Sequence, residues 1–389
     1  MSDPSSFDDN IEIPKPPDGW WERVPVLHEL YKLLQSTEPV NWELARQVGV
    51  ALASYDEEIA DVQAAQDELD AVTRAASVEA EEFSGLIAGS IAPVTAVTRA
   101  QWVEANIESF RILLNPLAQK MSGSGEVAMV PGATQVLQQV SGVFMGLQTG
   151  FVMGYLGRAV VGQYEVPIPI AEPKLLYVVS NITQIERDWS LDPKQFRYWI
   201  ALHEITHHLE FSKPWVQSYF RSQLKTMIDS LDFDPERMQS AFEGLEMLDP
   251  DRMAEALGDP DRLIQAAWTP LSEDAVERLQ AFMTLAEGYA TFVMDAVGAR
   301  VLTEHARLKE VMERRKHSTS PGEALFERLL GLELKRRQYE EGVKFCRYVA
   351  ALHDIDTLNH VWDDPESLPT TKELADPDTW IARVIGGSE

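Results

Sequence analysis

The chain has 389 residues, 45% of them hydrophobic and 25% charged, which is the composition of a soluble globular protein with room for about two domains. The formal net charge of −28 argues against nucleic acid and anionic membrane surfaces as partners, because both bind basic patches. The single cysteine, Cys346, excludes an intrachain disulfide and a thiolate metal cluster. The acidic, polar start, MSDPSSFDDN, lacks the pattern of a secretory signal, so we expect a cytoplasmic protein.

The first part of the chain is predicted to be helical. Residues 1–19 are rich in Pro, Asp and Ser, and we expect a flexible tail there. Apolar residues then recur at spacings of three and four over about 20–121, and the run SGSGE at 122–126 ends this pattern. The sequence therefore predicts a helical N-terminal region, 20–125, ahead of a second domain, 126–389.

Residues 127–157 carry no formal charge, and glycine recurs within them at every fourth position from Gly142 to Gly154. On a helix these glycines form one smooth face that admits a second helix at close range. An uncharged run of this length also suits a membrane span, which gives one hypothesis, a membrane-embedded protease. Polar side chains within the run and the pair Pro131-Gly132 favour a buried helix instead. We expect it to pack against the helix of 193–211, described next.

A strand and a helix follow this segment. The run Lys174–Val179 is β-branched and aromatic, which predicts a strand. Asp192 directly precedes Pro193, and this pair predicts a helix that begins at Pro193 and is capped by the Asp192 carboxylate. The helix is expected to end at about Phe211, before Pro214.

The rest of the chain is also predicted to be largely helical. Residues 215–271 are predicted as short helices broken at Asp-Pro pairs, and a longer helix is expected from Ser272 to Gly298. Another helical stretch covers about 300–353, and the turn-rich end, 359–389, carries one late short helix. The sequence therefore predicts a mainly α protein with a small β component.

The HEITH motif at residues 203–207 is the feature that indicates chemistry, and three of the eight histidines fall between 203 and 208. His203 and His207 lie one helical turn apart, so both imidazoles can bind one metal ion, which we expect to be Zn²⁺. Glu204 is turned about 100° round the helix, where it can act as general base towards a water that the ion has acidified. The alternative is a chance match on a helix whose histidines make other contacts.

A catalytic zinc ion takes three protein ligands and leaves one position for water. Glu210 shares a helix face with His207 but lies about 10 Å along the axis from His203, so it is predicted to be a supporting acid or a surface acid. Glu287 is the predicted third ligand, because a carboxylate on an apolar helix face needs a partner. An ion pair of Glu287 with an arginine, Arg300 or Arg336, is the alternative.

Further polar side chains are candidates for the pocket wall, for support of the metal ligands or for transition-state stabilisation. Their chemistry is suitable, although nothing in their spacing alone places them beside the metal. These candidates are His208, Tyr289, Asp295, His305, Arg336 and Tyr339.

Six segments, in order, make the chain similar to a known family: GRAVVGQYE (157–165), LYVVSNI (176–182), FRYWIALHEITHHLEF (196–211), AEGYATFVMDAVG (286–298), ELKRRQYEEG (333–342) and NHVWDDPESLPT (359–370). From about residue 100 to the end, the chain resembles the bacterial zincin-like metallopeptidases that are often labelled as associated with biosynthesis of a deazaflavin coenzyme. The resemblance implies a zincin-like catalytic half plus a helical N-terminal region. It also implies zinc ligands at His203, His207 and Glu287, with Glu204 as the acid/base. Thr291 departs from the acid that zincins often carry four residues after a glutamate ligand.

Two further hypotheses about function remain beside the membrane protease. The first is a cytoplasmic zinc-dependent metallopeptidase that hydrolyses a peptide or amide bond by metal-activated water, with Glu204 as general base. Its partner would be a peptide or protein substrate, with no nucleic acid and no membrane span. The alternative is a non-catalytic zinc-binding or scaffold protein that retains the zincin fold. Glu204 favours the enzyme, because a binding protein has no need of a base at that position.

Overall fold

The structure is a computed structural model, and it describes residues 36, 38–58, 61–123, 133–164, 174–232, 269–270, 273–316 and 336–386. The helices are α1 (Trp42–Ser54), α2 (Val62–Ser84), α3 (Arg99–Gly123), α4 (Ala133–Ala159), α5 (Val179–Asp188), α6 (Pro193–Phe211), α7 (Pro214–Ser230), α8 (Glu273–Val301), α9 (His305–Lys316), α10 (Arg336–Leu352), α11 (Ile355–Asn359), α12 (Thr371–Ala375) and α13 (Pro377–Val384). The strands are β1 (Val94–Val97), β2 (Gly162–Tyr164), β3 (Leu175–Val178), β4 (Leu231–Asp232) and β5 (Thr269–Pro270). The predicted mainly α fold with a small β component is confirmed.

The predicted N-terminal region is helical in α1, α2 and α3, but it also contains strand β1, where the helical prediction is wrong. The four residues Val94–Val97 follow Pro93, and β-branched side chains after a proline favour extended backbone. The residues on both sides have helical periodicity, so a strand of this length is hard to recognise in the sequence. The predicted tail, 1–19, and most of the short helices predicted over 215–271 lie outside the described residues.

Strand β3 is the centre of a three-stranded sheet with the order β1-β3-β2. It is parallel to β1 and antiparallel to β2, and every one of its residues is buried. The prediction of a strand in this segment is therefore confirmed. Gly162 of β2 lies opposite Tyr177 of β3, whose hydroxyl is 3.0 Å from the Thr73 hydroxyl on α2. Strand β2, at the edge of the sheet, is therefore linked through β3 to helix α2.

The glycine face of α4 packs against α1, so the expectation that it packs against the 193–211 helix is wrong. A Cβ at Gly146 would lie 2.5 Å from the Asn41 carbonyl oxygen, and one at Gly154 would lie 2.8 Å from Leu52 Cβ. A smooth face indicates that a helix will approach closely, but it does not indicate which one. None of the described helices has the length and apolar character that a bilayer crossing requires.

Helix α6 has the predicted boundaries. The Asp192 carboxylate accepts a hydrogen bond from the Gln195 N–H at 3.0 Å, and Pro193 is the first helical residue. The helix ends at Phe211, with Ser212 as its C-cap. It packs against α2, α8 and β2, so it lies between the N-terminal helices, the sheet and the C-terminal helices. Its central place makes it a rigid support for side chains.

Helix α8 crosses α10 at two glycines, Gly288 and Gly342, where the backbones are in direct contact.

The stretch predicted as helical over 300–353 is divided between α9 and α10, and the late short helix is α13. Contacts also join the two predicted regions of the chain, since β1 pairs with β3 and α1 packs on α4. The division near residue 125 stays a prediction.

We predict that Gly342→Ala destabilises the protein by about 1–3 kcal/mol, the usual cost of overpacking. A Cβ at this position would collide with the backbone carbonyl oxygen of Thr284, which cannot rotate away as a side chain could. Urea unfolding measures the change. Gly386→Ala is the control, because nothing lies within 4 Å of an added Cβ there. Equal stability of the two variants would contradict the close crossing.

Candidate metal centre

Helices α6 and α8 bring His203, His207 and Glu287 together. One ligand atom from each lies within 4.8 Å of the other two. The His203 Nε2 atom is 3.9 Å from Glu287 Oε2, and the His207 Nε2 atom is 3.7 Å from Glu287 Oε1. The two imidazole rings have centroids 4.6 Å apart at an interplanar angle of 77°, as expected for side chains one helical turn apart.

The three side chains are partly open to solvent. His203 is 26% exposed, His207 14% and Glu287 22%, so each is fixed by packing yet reachable from outside. Two imidazoles and one carboxylate form a donor set that suits zinc and would leave a fourth position for water or substrate. The residues present therefore fit a bound divalent cation.

Glu210 supports the second imidazole from behind. Its side chain is fully buried, and its Oε2 atom accepts a hydrogen bond from His207 Nδ1 at 2.8 Å. A hydrogen bond to Nδ1 turns the lone pair of Nε2 towards the metal position, the usual support of a ligating histidine. Sequence spacing left Glu210 open between a supporting acid and a surface acid, and the structure places it in the interior.

Carboxylates surround the His207 ring and give the site an excess of negative charge. Burial lowers the pKa of the His207 imidazole, but neighbouring carboxylates, Glu210 foremost, outweigh burial and raise the pKa to about 10. Burial raises the pKa of Glu210 to about 7, against the lowering effect of His207. Such a concentration of acids around one imidazole favours binding of a cation.

Glu204, the residue after the first histidine, is 6% exposed and lies against strand β2. A Cβ added at Gly162 would be 2.6 Å from Glu204 Oε1, so the carboxylate rests on the glycine backbone. Gly162 is not among the site residues predicted from the sequence. Glycine within a strand often marks a close backbone approach, and that signal was available in the GQY segment.

Two of the further candidates, His208 and Tyr289, make hydrogen bonds to groups other than the metal ligands. His208 donates from Nε2 to the Ser90 carbonyl oxygen at 2.8 Å, and burial lowers its pKa. The Tyr289 hydroxyl donates to Asn359 Oδ1 at 2.7 Å, and its fully buried ring packs edge-on against Trp362. The expectation that they line the pocket or stabilise a transition state is not supported by these contacts.

Asp295 and His305 belong to a separate cluster of charges. Asp295 Oδ2 accepts from Lys309 at 2.6 Å and also contacts Arg347, while its Oδ1 atom is 3.5 Å from His305 Nε2. Asp295 therefore contacts these groups rather than the metal ligands. Arg336 and Tyr339 are in α10, and their side chains lie outside the described residues.

One alternative for Glu287, an ion pair with Arg300, is also decided by the structure. Arg300 contacts Glu79 of α2 instead. The side chain of Arg336, the other proposed partner, is outside the described residues. The described neighbours of the Glu287 carboxylate therefore include the two imidazoles, which is the arrangement that a shared cation needs.

A helical protein with two histidines on one helix and a glutamate from a second helix has the layout of a zincin. The chain matches the zincin-like metallopeptidase family over residues 40–381, and it belongs to that family. Membership implies a bound metal ion, typically zinc, which the His-His-Glu group could hold. The resemblance found in the sequence is confirmed for the family, whereas the link to a deazaflavin coenzyme stays a prediction.

The chain is also similar to a crystal structure from Chloroflexus aurantiacus, described as a "putative hydrolase with a novel fold". The two are 28% identical, with a TM-score of 0.66, over 88% of this chain and 98% of the other. None of the curated proteins compared with the chain matches it.

We predict that Glu287→Gln weakens zinc binding by more than about 100-fold, since even loss of a supporting residue costs 10–100-fold. The substitution removes the negative charge next to both imidazoles while keeping the size of the side chain. Competition with a chromophoric chelator measures the affinity. Asp295→Asn is the matched control on the same helix, because Asp295 contacts Lys309 and Arg347 instead. Wild-type affinity in Glu287→Gln would show that the third ligand lies elsewhere.

A smaller effect is expected for Glu210→Ala, which removes the acceptor of the His207 Nδ1–H. Zinc affinity should fall by about 10–100-fold, because the imidazole is then free to turn. The same chelator competition measures this change. A variant that binds zinc as tightly as the wild type would show that Glu210 does not orient the ligand.

Proposed function

We propose that the protein is a zinc-dependent metallopeptidase that hydrolyses a peptide or amide bond in a peptide or protein substrate. The observation that carries this proposal is the convergence of two imidazoles and a carboxylate within 4.8 Å, with Glu204 next to one of the ligands in the chain. Membership of the zincin-like metallopeptidase family and the hydrolase description of the similar structure support a hydrolase.

His203, His207 and Glu287 would hold the cation, and Glu204 would move the proton. A divalent cation held there would supply Lewis-acid chemistry, polarising the carbonyl of the scissile bond and making a water molecule more acidic. Glu204 takes the proton from that water while the water oxygen attacks the carbonyl carbon. The protonated Glu204 then delivers the proton to the nitrogen of the leaving amine, which restores the carboxylate.

The position of Glu204 suits this role, because its carboxylate lies against the Gly162 backbone of β2, one residue along the chain from the ligand His203. Glu210 contributes by holding His207 in one tautomer, with Nε2 directed towards Glu287.

A second candidate is a non-catalytic protein that binds zinc or merely keeps the zincin fold. The 6% exposure of Glu204 favours it, because a base that acts on substrate must be reached by water. Under this candidate, Glu204 would serve packing against β2. Purified protein with zinc bound but without activity on any peptide would support it.

We also propose that the enzyme acts in the cytoplasm. Its single cysteine, Cys346, is fully buried on α10, which suits a chain that folds without disulfides. The net charge of −28 fits the expectation that neither nucleic acid nor an anionic membrane is a partner.

We predict that Glu204→Gln leaves zinc content unchanged but lowers peptide hydrolysis by at least about 100-fold, the usual contribution of a general base. The amide keeps the size of the side chain but cannot accept the proton. Digestion of an unbiased peptide library by the zinc-loaded protein, alongside elemental analysis, measures both quantities. Glu310→Gln, at an exposed pair with Arg314, is the control and should keep full activity. Equal turnover of Glu204→Gln and wild type would exclude Glu204 as the base.

A further inference from the structure

Strand β2 has no side chain at the point where Glu204 lies against it. An ideal Cβ at Gly162 would lie 2.6 Å from Glu204 Oε1, 2.8 Å from Cγ and 2.9 Å from Cδ. Carbon atoms in contact normally lie about 3.5–4.0 Å apart. The close approach therefore involves the length of the Glu204 side chain and not only its tip.

The backbone is held in place on both sides of this contact, so the Glu204 side chain is the part that can yield. Gly162 pairs with Tyr177 in the sheet, and Tyr177 is fully buried with its hydroxyl 3.0 Å from Thr73. On the other side, Leu202 and Ile205 of α6 are fully buried and hold the helix in place. Because a packed interior yields little, a side chain at 162 would displace the Glu204 carboxylate.

We propose that Gly162 is a positioning residue, whose bare backbone sets the Glu204 carboxylate in its place next to the metal ligands. Any Cβ at this position turns the carboxylate away while the two histidines and Glu287 keep their places. The catalytic consequence rests on the proposed function, but the contact itself does not. Replacement of the glycine should therefore impair proton transfer and leave metal binding unchanged.

A double-mutant cycle between residues 162 and 204 tests the contact without any need for activity. Gly162→Ala, Glu204→Ala and the double variant are compared with wild type by thermal unfolding of the metal-free protein. Gly154→Ala is the matched control, because an added Cβ there meets Leu52 at a similarly short 2.8 Å, in the packing of α4 on α1. It is combined with Glu204→Ala in a second cycle.

We expect Gly162→Ala to lower the melting temperature, and at least about half of that loss to disappear when Glu204 is also alanine, since residues in contact are not additive. The Gly154→Ala cycle should be additive. Additive changes in both cycles would overturn the proposal. If Gly162→Ala does not fold, recovery of folding in the double variant supports the proposal, and failure of the double variant overturns it.

A second measurement follows if the wild type hydrolyses a peptide. Gly162→Ala should then lower kcat by about 10- to 100-fold, the cost of an ångström-scale misplacement of a catalytic group. KM and zinc content should stay within about two-fold, which a general loss of structure would not allow. A wild-type kcat would overturn the proposal. Coupling between 162 and 204 in a wild type that hydrolyses no peptide would leave the contact established and the peptidase function refuted.

Discussion

The approach of the Glu287 carboxylate to two imidazoles is the interaction on which the site depends. It joins α6 to α8, and it brings a third carboxyl group close to the His207 ring, beside those of Glu210 and Glu204. Such a group of acids repels itself unless a cation or a proton offsets it. Because metal binds the folded arrangement and not the separated chain, the free energy of metal binding also stabilises the fold.

The support around this interaction is rigid. Helix α6 carries both histidines, the neighbouring acid and the buried Glu210 within one capped element. Helix α8 is held against α10 by the backbone contact at Gly288 and Gly342, one residue from the Glu287 ligand. Sites built on packed helices keep their geometry better than sites on loops, and catalysis depends on that geometry. The glycine crossing therefore matters for the metal site as well as for packing.

Features encoded by neighbouring residues could be predicted from the sequence. The start of α6 follows from Asp192 and Pro193, and the placing of the two histidines follows from helical spacing. Glu287 required one step more, the argument that an acid on an apolar face needs a partner. The structure places the Glu287 carboxylate beside both imidazoles, and its role as a ligand stays a prediction.

Features that depend on which elements meet could not be predicted in this way. The glycine face of α4 meets α1 rather than α6, and only long-range packing decides between them. The role of Glu210 depends on whether its side chain turns inwards, and that of Gly162 on the approach of Glu204, 42 residues later in the chain (204 − 162). In both cases, the residues nearby in the sequence do not identify the group that the side chain or backbone contacts.

X-ray absorption spectroscopy at the zinc edge of the zinc-loaded protein tests the central claim most directly. We expect one zinc per chain, with a first shell of two imidazoles, one carboxylate and one further oxygen from solvent, at about 2.0–2.2 Å. A shell with only one imidazole, or four protein ligands without solvent, would contradict this account. So would a protein that retains no stoichiometric metal after loading.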